Sequence, residues 1–284
     1  MREGDWGRRA VLLTGASQGI GRALALALAA RNARVALVAR TKAKLEEVAT
    51  ECRAIGGDVE VVVADVTEPA QCERGVEQTL ERFSRIDALI NNAGISVVAR
   101  FAALRDLALA ERAMRVNYFG ALYCTRAALP HLVESRGRIV AVASLTGKAG
   151  VPLRSVYAAS KHAMVGFFDS LRIELRASGV SVTVAYPDFV QTEVRERVFG
   201  PGGERLAVQP PPGARFMTAD ECARRILAAA WARKRDVVLS ARGRLGRWLQ
   251  LLAPALVDRI AERAMTRVTY GPVTAGPDED RPDR

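Results

Sequence analysis

The sequence predicts an α/β fold of the doubly wound kind, a mainly parallel seven-stranded sheet with helices on both faces, and three observations carry this. Short β-branched runs alternate with longer helix-length segments through about residue 190. The apolar runs are nearly continuous rather than alternating, as in strands buried on both faces. A glycine-rich turn, TGASQGIGR (14–22), stands between the first run and the first helical segment.

Taken in order, AVLLT (10–14) is the first strand, followed by a helix near 19–31. RVALVA (34–39) is the second, with a helix near 42–55, and VEVVVA (59–64) the third, with a helix near 69–84. DALIN (87–91), RIVAVAS (138–144) and SVTVAY (181–186) follow, separated by helical segments near 105–134 and 155–178. A helix near 218–234 and the short strand DVVLS (236–240) complete the sheet. Branched residues crowd these runs because they pack well on a pleated surface. The stretch FGPGGERLAVQPPPGARF (199–216) is dense in Gly and Pro and predicts a long irregular loop, a feature usually functional in a compact domain. The expected organisation is one domain over residues 1–240 with a substrate loop at about 188–217, a basic amphipathic helical extension over 241–268, and a disordered tail over 269–284.

With 49% apolar and 26% charged residues among 284, the composition is that of a globular chain with a sizeable core. Cys52, Cys72, Cys124 and Cys222 stand far apart with no C-x-x-C pair, and the histidines are His131 and His162 alone. That argues against a zinc site or a disulfide framework and for a reducing compartment. No run approaches the roughly 18 apolar residues of a spanning helix, so the expectation is an unexported, cytoplasmic protein. The net charge of +11 would suit nucleic acid or a membrane surface. Its distribution narrows this: Arg224 to Arg267 holds eleven basic residues against three acids.

The glycine turn points to a ligand. Gly15, Gly19 and Gly21 allow a tight turn and close backbone approach, and the following helix N-terminus offers free N–H groups to a phosphate. At the end of the second strand, where a dinucleotide fold reads the ribose, stand Ala39 and Arg40. An acid there accepts from a 2′-hydroxyl, whereas an arginine accommodates a 2′-phosphate. Asp65 after the third strand and NNAG (91–94) after the fourth sit at the same carboxyl edge. Further on, SVYAASKHAM (155–164) sets Tyr157 and Lys161 one helical turn apart, on one face.

These motifs, in this order, resemble the short-chain dehydrogenase/reductase family over nearly the whole chain and strongly over residues 8–195: TGASQGIG (14–21), DV (65–66), NNAG (91–94), Asn117 in RVNYFG, Ser144, YAASK (157–161) and PDFVQT (187–192). The resemblance implies a Rossmann-type sheet and an oxidoreductase. It implies Tyr157 as the proton donor, Lys161 beside it on the nicotinamide ribose, Ser144 holding the carbonyl oxygen, and Asn117 carrying a water that links the lysine to solvent. Lys161 is expected to supply the positive charge that stabilises the phenolate. The cofactor contacts it implies are Gly15, Ser17, Gln18, Gly19, Ile20, Gly21, Arg40, Asp65, Val66, Asn92, Ala93, Gly94, Tyr157, Lys161, Pro187, Val190 and Thr192. Arg40 favours NADP(H), with NAD(H) as the alternative. Asp188 departs from the family, which usually has glycine after this proline, and puts the local loop geometry in doubt. His162 is read as packing.

SLTGKAGVPL (144–153) and FVQTEVRERVFG (189–200) are expected to supply substrate contacts and are mostly small or apolar. The stretch SLTGKAGVPLRSVYAASKHAMVGFFDSLRIEL (144–175) resembles the branch acting on steroids, retinoids and other lipophilic carbonyls, so the expected substrate is a small lipophilic carbonyl or its alcohol. The family is commonly a homodimer or homotetramer. A non-catalytic, cofactor-binding regulator on the same fold is the alternative, against which the intact Ser144, Tyr157 and Lys161 speak. Nucleic-acid binding rests on charge alone and is not expected. Finally, RGRLGRWLQLLAPALVDRIAERAM (242–265) sets Leu245, Trp248, Leu249, Leu252, Leu256 and Ile260 near helical spacing, with Pro254 expected to kink or divide it. It is either a helix packed on the core or over the substrate mouth, or a peripheral membrane contact.

Overall fold

A computed structural model of the chain describes residues 5–191, 198–209, 216–265 and 269–272. In chain order its strands are β1 (Ala10–Thr14), β2 (Arg34–Ala39), β3 (Asp58–Val63), β4 (Ala88–Asn91), β5 (Ser96–Val97), β6 (Arg138–Val142), β7 (Ser181–Tyr186), β8 (Val190–Gln191), β9 (Val198–Phe199), β10 (Leu206–Gln209), β11 (Met217–Thr218), β12 (Asp236–Val238) and β13 (Thr269–Pro272). Seven of them form one parallel sheet in the order β12-β7-β6-β4-β1-β2-β3. The chain runs outward from β1 to β3, then restarts on the other side of β1 at β4. That reversal opens a crevice at the carboxyl ends of β1 and β4, where open α/β sheets bind ligands.

The helices are α1 (Gly19–Ala29), α2 (Lys42–Ala54), α3 (Pro69–Phe83), α4 (Ala108–Met114), α5 (Gly120–Glu134), α6 (Ser155–Glu174), α7 (Ala219–Trp231), α8 (Ala241–Leu252) and α9 (Pro254–Met265). Successive strand residues feed opposite layers, which is why the runs are continuously apolar. Leu13 and Val35 pack with Leu24, Leu28 and Ile226, from α1 and α7. Leu12 and Ala36 pack with Leu132 and Phe168, from α5 and α6. Each such large side chain, fully buried, contributes about 1.5–3 kcal/mol. Capping is local: the Thr218 hydroxyl accepts from the Glu221 amide at 3.1 Å, with Asp220 and Glu221 in the first turn of α7.

Three expectations change. The helix expected over 105–134 is α4, one π-helical turn at Arg115–Phe119, and α5. The loop expected to be irregular contributes short strands: β9 pairs parallel with β5, and β10 pairs antiparallel with β13. The tail expected to be disordered from 269 therefore begins with a strand, because extended Thr269–Pro272 finds a partner edge in Leu206–Gln209. The remainder of the tail, 273–284, lies outside the described residues. Pro254 divides the C-terminal segment as expected, standing at the first position of α9 where its missing N–H costs nothing.

Candidate active site

The glycine turn is held by the fourth strand. Gly15 has φ +66°, and a Cβ there would lie 2.7 Å from the Cα of Ala93, so no other residue fits both the conformation and the approach. Asn92 donates through Nδ2 to the carbonyls of Thr14 and Gly15, each at 3.1 Å. Thr14 Oγ1 in turn accepts from the amides of Asn92 and Ala93 at 3.0 and 3.1 Å. Gln18 is the extended residue preceding α1; Gly19, Ile20 and Gly21 form its first turn.

Next to this turn lies a cleft of about 300 Å³ lined by Gly15, Ser17, Arg40, Asp65, Val66, Ala93 and Gly94, all expected from the sequence. Arg40 stands 3.7 Å from Asp65 across its mouth. Sequence reasoning missed Arg112, Phe199 and Arg205, which also line the cleft. Phe199 arrives through the β5–β9 pairing, and the Arg112 guanidinium lies 5.0 Å from the centre of its ring. No local motif marks these residues: Arg112 comes from α4, and Phe199 and Arg205 come from the expected substrate loop, which folds back on the cleft.

The catalytic candidates stand beyond Gly94. Ser144 lies between β6 and a 3₁₀ turn at Leu145–Gly147, its Oγ accepting from the Thr146 amide at 3.3 Å. The serine loop approaches α6 closely: a Cβ on Gly147 would lie 3.0 Å from the Lys161 carbonyl oxygen. Lys161 is buried, and its ammonium donates to the Val142 carbonyl at 3.0 Å and sits 5.9 Å from the centre of the Tyr157 ring. Burial lowers its pKa to about 8. Burial also pushes the Tyr157 phenol upward, while the Arg154 charge and the Ser144 hydrogen bond pull it back. The Lys161 ammonium is bonded to Val142, and Arg154, which no sequence motif marks, is a second cation beside the ring and pulls the phenol down. Its guanidinium lies 5.8 Å from the ring centre and donates to Ser96 Oγ at 2.6 Å.

Asn117 lies fully buried in the π turn. Its Oδ1 accepts from the Ile95 amide at 2.8 Å, and its Nδ2 donates to the Ile95 carbonyl and to Ser160 Oγ, each at 2.9 Å. A Cβ on Gly94 would lie 3.1 Å from Asn117 Oδ1 and 3.6 Å from Lys161 Nζ, so the bare glycine lets both side chains approach the backbone closely. Pro187 and Val190 lie at the carboxyl edge but do not line the cleft: Pro187 accepts from the Leu145 amide at 3.1 Å, and Val190 packs towards the core. Thr192 lies outside the described residues. His162 is exposed rather than packed, its Nδ1 lying 2.9 Å from the Ala158 carbonyl.

The donor set fits a dinucleotide: a glycine cradle, a helix N-terminus beside the cleft and a cation at the ribose end. Comparison with known proteins agrees. The short chain dehydrogenase family matches residues 9–200. Among similar proteins, "Dehydrogenase/reductase SDR family protein 7-like" of Dictyostelium discoideum is 34% identical over 92% of this chain and 83% of its own. "11-beta-hydroxysteroid dehydrogenase-like 4A" of Arabidopsis thaliana is 37% identical over 88% and 82%. "11-beta-hydroxysteroid dehydrogenase A" of Sesamum indicum is 36% identical over 89% and 74%.

Proposed function

Because this chain belongs to the short-chain dehydrogenase/reductase family, oxidoreductases of CH–OH groups that use NAD(P)(H), we propose that it interconverts a carbonyl and an alcohol on a small lipophilic substrate with NADP(H). The observation that carries this reading is the buried ammonium of Lys161 5.9 Å from the Tyr157 ring, one helical turn along α6, with Ser144 on the loop that packs against that helix. We read residues 1–240 as the catalytic domain and 241–268 as an extension.

The dinucleotide would be held by Gly15 to Gly21, by Asp65, Val66 and Asn92 to Gly94, and by Lys161 on the nicotinamide ribose. When bound it supplies the hydride. Ser144 and Tyr157 then hold the carbonyl oxygen between their hydroxyls. The Tyr157 phenol, kept protonated by burial, gives its proton to that oxygen in reduction and recovers it in oxidation. Lys161 stabilises the phenolate as it forms. Asn117, buried beside Gly94, is read as carrying a water that links Lys161 to solvent.

NADP(H) is favoured because no acid ends β2 and because Arg40, Arg112 and Arg205 all face the cleft. The lipophilic substrate is supported by the small and apolar residues of 144–153 and by the hydroxysteroid dehydrogenase names of the relatives. Among the described residues no helix is long and apolar enough to cross a membrane. On α8 and α9 an apolar set remains in solvent, which supports peripheral contact with an anionic membrane; a cytoplasmic location is our reading of the sequence. A homodimer or homotetramer is in keeping with the family.

Tyr157→Phe tests the mechanism. It keeps the ring and should lower turnover of a hydrophobic ketone by about 10²–10⁴-fold with NADPH affinity retained. Near-normal turnover by the folded variant would end the assignment.

A further inference from the structure

Asp188 follows Pro187 just beyond the carboxyl end of β7, and the structure gives that carboxylate a specific partner. Ser240 Oγ donates to Asp188 Oδ2 at 2.9 Å. The same Ser240 Oγ accepts from the Gly243 amide at 2.9 Å and so caps the N-terminus of α8. One hydroxyl thus joins the loop after β7 to the first turn of the C-terminal helix.

That first turn touches the other catalytic loop as well. A Cβ on Gly243 would lie 2.7 and 2.9 Å from the two methyl groups of Leu145, so helix backbone and leucine are in tight contact. Leu145 directly follows Ser144, and its amide donates to the Pro187 carbonyl at 3.1 Å. Arg244 adds a donor bond to the Val238 carbonyl at 3.3 Å. Asp188, Ser240, Gly243, Leu145 and Pro187 therefore close a ring of contacts around the edge that carries the catalytic serine. Beyond this first turn α8 faces solvent, with Leu245, Trp248, Leu251 and Leu252 all exposed.

We propose that Asp188 is a positioning residue: through Ser240 it latches the first turn of α8 against Leu145, making that turn a wall of the substrate end of the site. A carboxylate serves because it accepts the serine proton strongly while the serine lone pairs stay free to cap the helix. Glycine at this position leaves the cap but frees it from the site. The wall is apolar, Gly243 on Leu145, which fits a lipophilic substrate; this part rests on the function proposed above.

Two variants of the full-length protein decide it. Asp188→Ala removes the acceptor without adding glycine flexibility, and Asp188→Asn keeps an oxygen that accepts from Ser240. A hydrogen bond to a charged group carries a factor of about 10–100, so amide exchange in the first turn of α8 should speed up by roughly that factor in Asp188→Ala and hardly change in Asp188→Asn. KM for a hydrophobic ketone should rise in Asp188→Ala, with NADPH affinity unchanged and kcat less affected. Unchanged α8 exchange in Asp188→Ala, or equal loosening in Asp188→Asn, overturns the latch. Exchange is read without turnover, so if no carbonyl compound is reduced by the unmodified protein the proposed function fails while the latch is still judged.

Discussion

The ammonium of Lys161 donates to the carbonyl of Val142 at 3.0 Å, on the strand that leads into Ser144. This carbonyl and the Met164 Sδ at 3.8 Å are neutral acceptors that do not replace water, and burial lowers the lysine from 10.5 to about 8. The folded value lies below the unfolded one, so the cost of keeping the charge is complete below about pH 8 and is relieved as pH rises towards 10.5. Lys161→Met should therefore stabilise the ligand-free protein at pH 7 by on the order of 3 kcal/mol, and the gain should shrink towards pH 10.5. Denaturation of both proteins across that range checks it. A gain that grows with pH would contradict the assignment.

Arg40 faces Asp65 at 3.7 Å, and both are accessible enough that the pair itself contributes little. The arginine is thus free to exchange its partner for a 2′-phosphate. Arg40→Ala should weaken NADPH by about 10–100-fold and hardly touch NADH. Fluorescence titration with both dinucleotides decides this, and tighter NADH binding by the unmodified protein would reject the NADP(H) reading.

Asn117 is tied at both ends of its amide to Ile95. Asn117→Ala leaves a buried N–H and C=O without partners and should cost about 2–4 kcal/mol in urea denaturation. Turnover below the transition is a separate test: a folded Asn117→Ala enzyme with unchanged kcat would limit the residue to shaping the π turn and remove it from proton transfer.

Legibility in the sequence followed the range of the interactions. The strands of the main sheet could be read because burial on both faces leaves continuous branched runs, and the glycine turn because Gly15 has no substitute at its φ and approach distance. Tyr157 and Lys161 could be read because helical spacing alone sets them together. The π turn could not: it depends on Asn117 reaching Ile95 and Ser160, the second of them 43 positions away. Nor could Phe199 and Arg205 be placed at the cleft, since β9 pairs with β5, about a hundred residues earlier in the chain; Arg112, on α4, carries no motif. Asp188 was visible as a departure, but its partner Ser240 lies 52 positions on.

The C-terminal helices carry the last prediction. Leu245 is 63% exposed, Trp248 67%, Leu252 81% and Ile260 51%, although each is apolar and the core is otherwise well filled. A solvated face of this kind has no reason to persist unless something covers it. The surplus of basic residues between Arg224 and Arg267 favours an anionic lipid surface, at about 1 kcal/mol for each cation brought near it. Removing the helices altogether would disturb the contact of Gly243 with Leu145, so point changes at the exposed positions are the cleaner test. Trp248→Ser with Leu252→Ser removes two side chains worth about 1.5–3 kcal/mol each, a drop of at least 100-fold in the binding constant for anionic phospholipid vesicles. Cosedimentation measures this, and turnover of a water-soluble carbonyl compound should stay unchanged because neither residue lines the cleft. If the unmodified protein remains in the supernatant at low salt, the membrane reading fails; if the same double change instead converts an oligomer to monomers, the face belongs to a second copy of the chain.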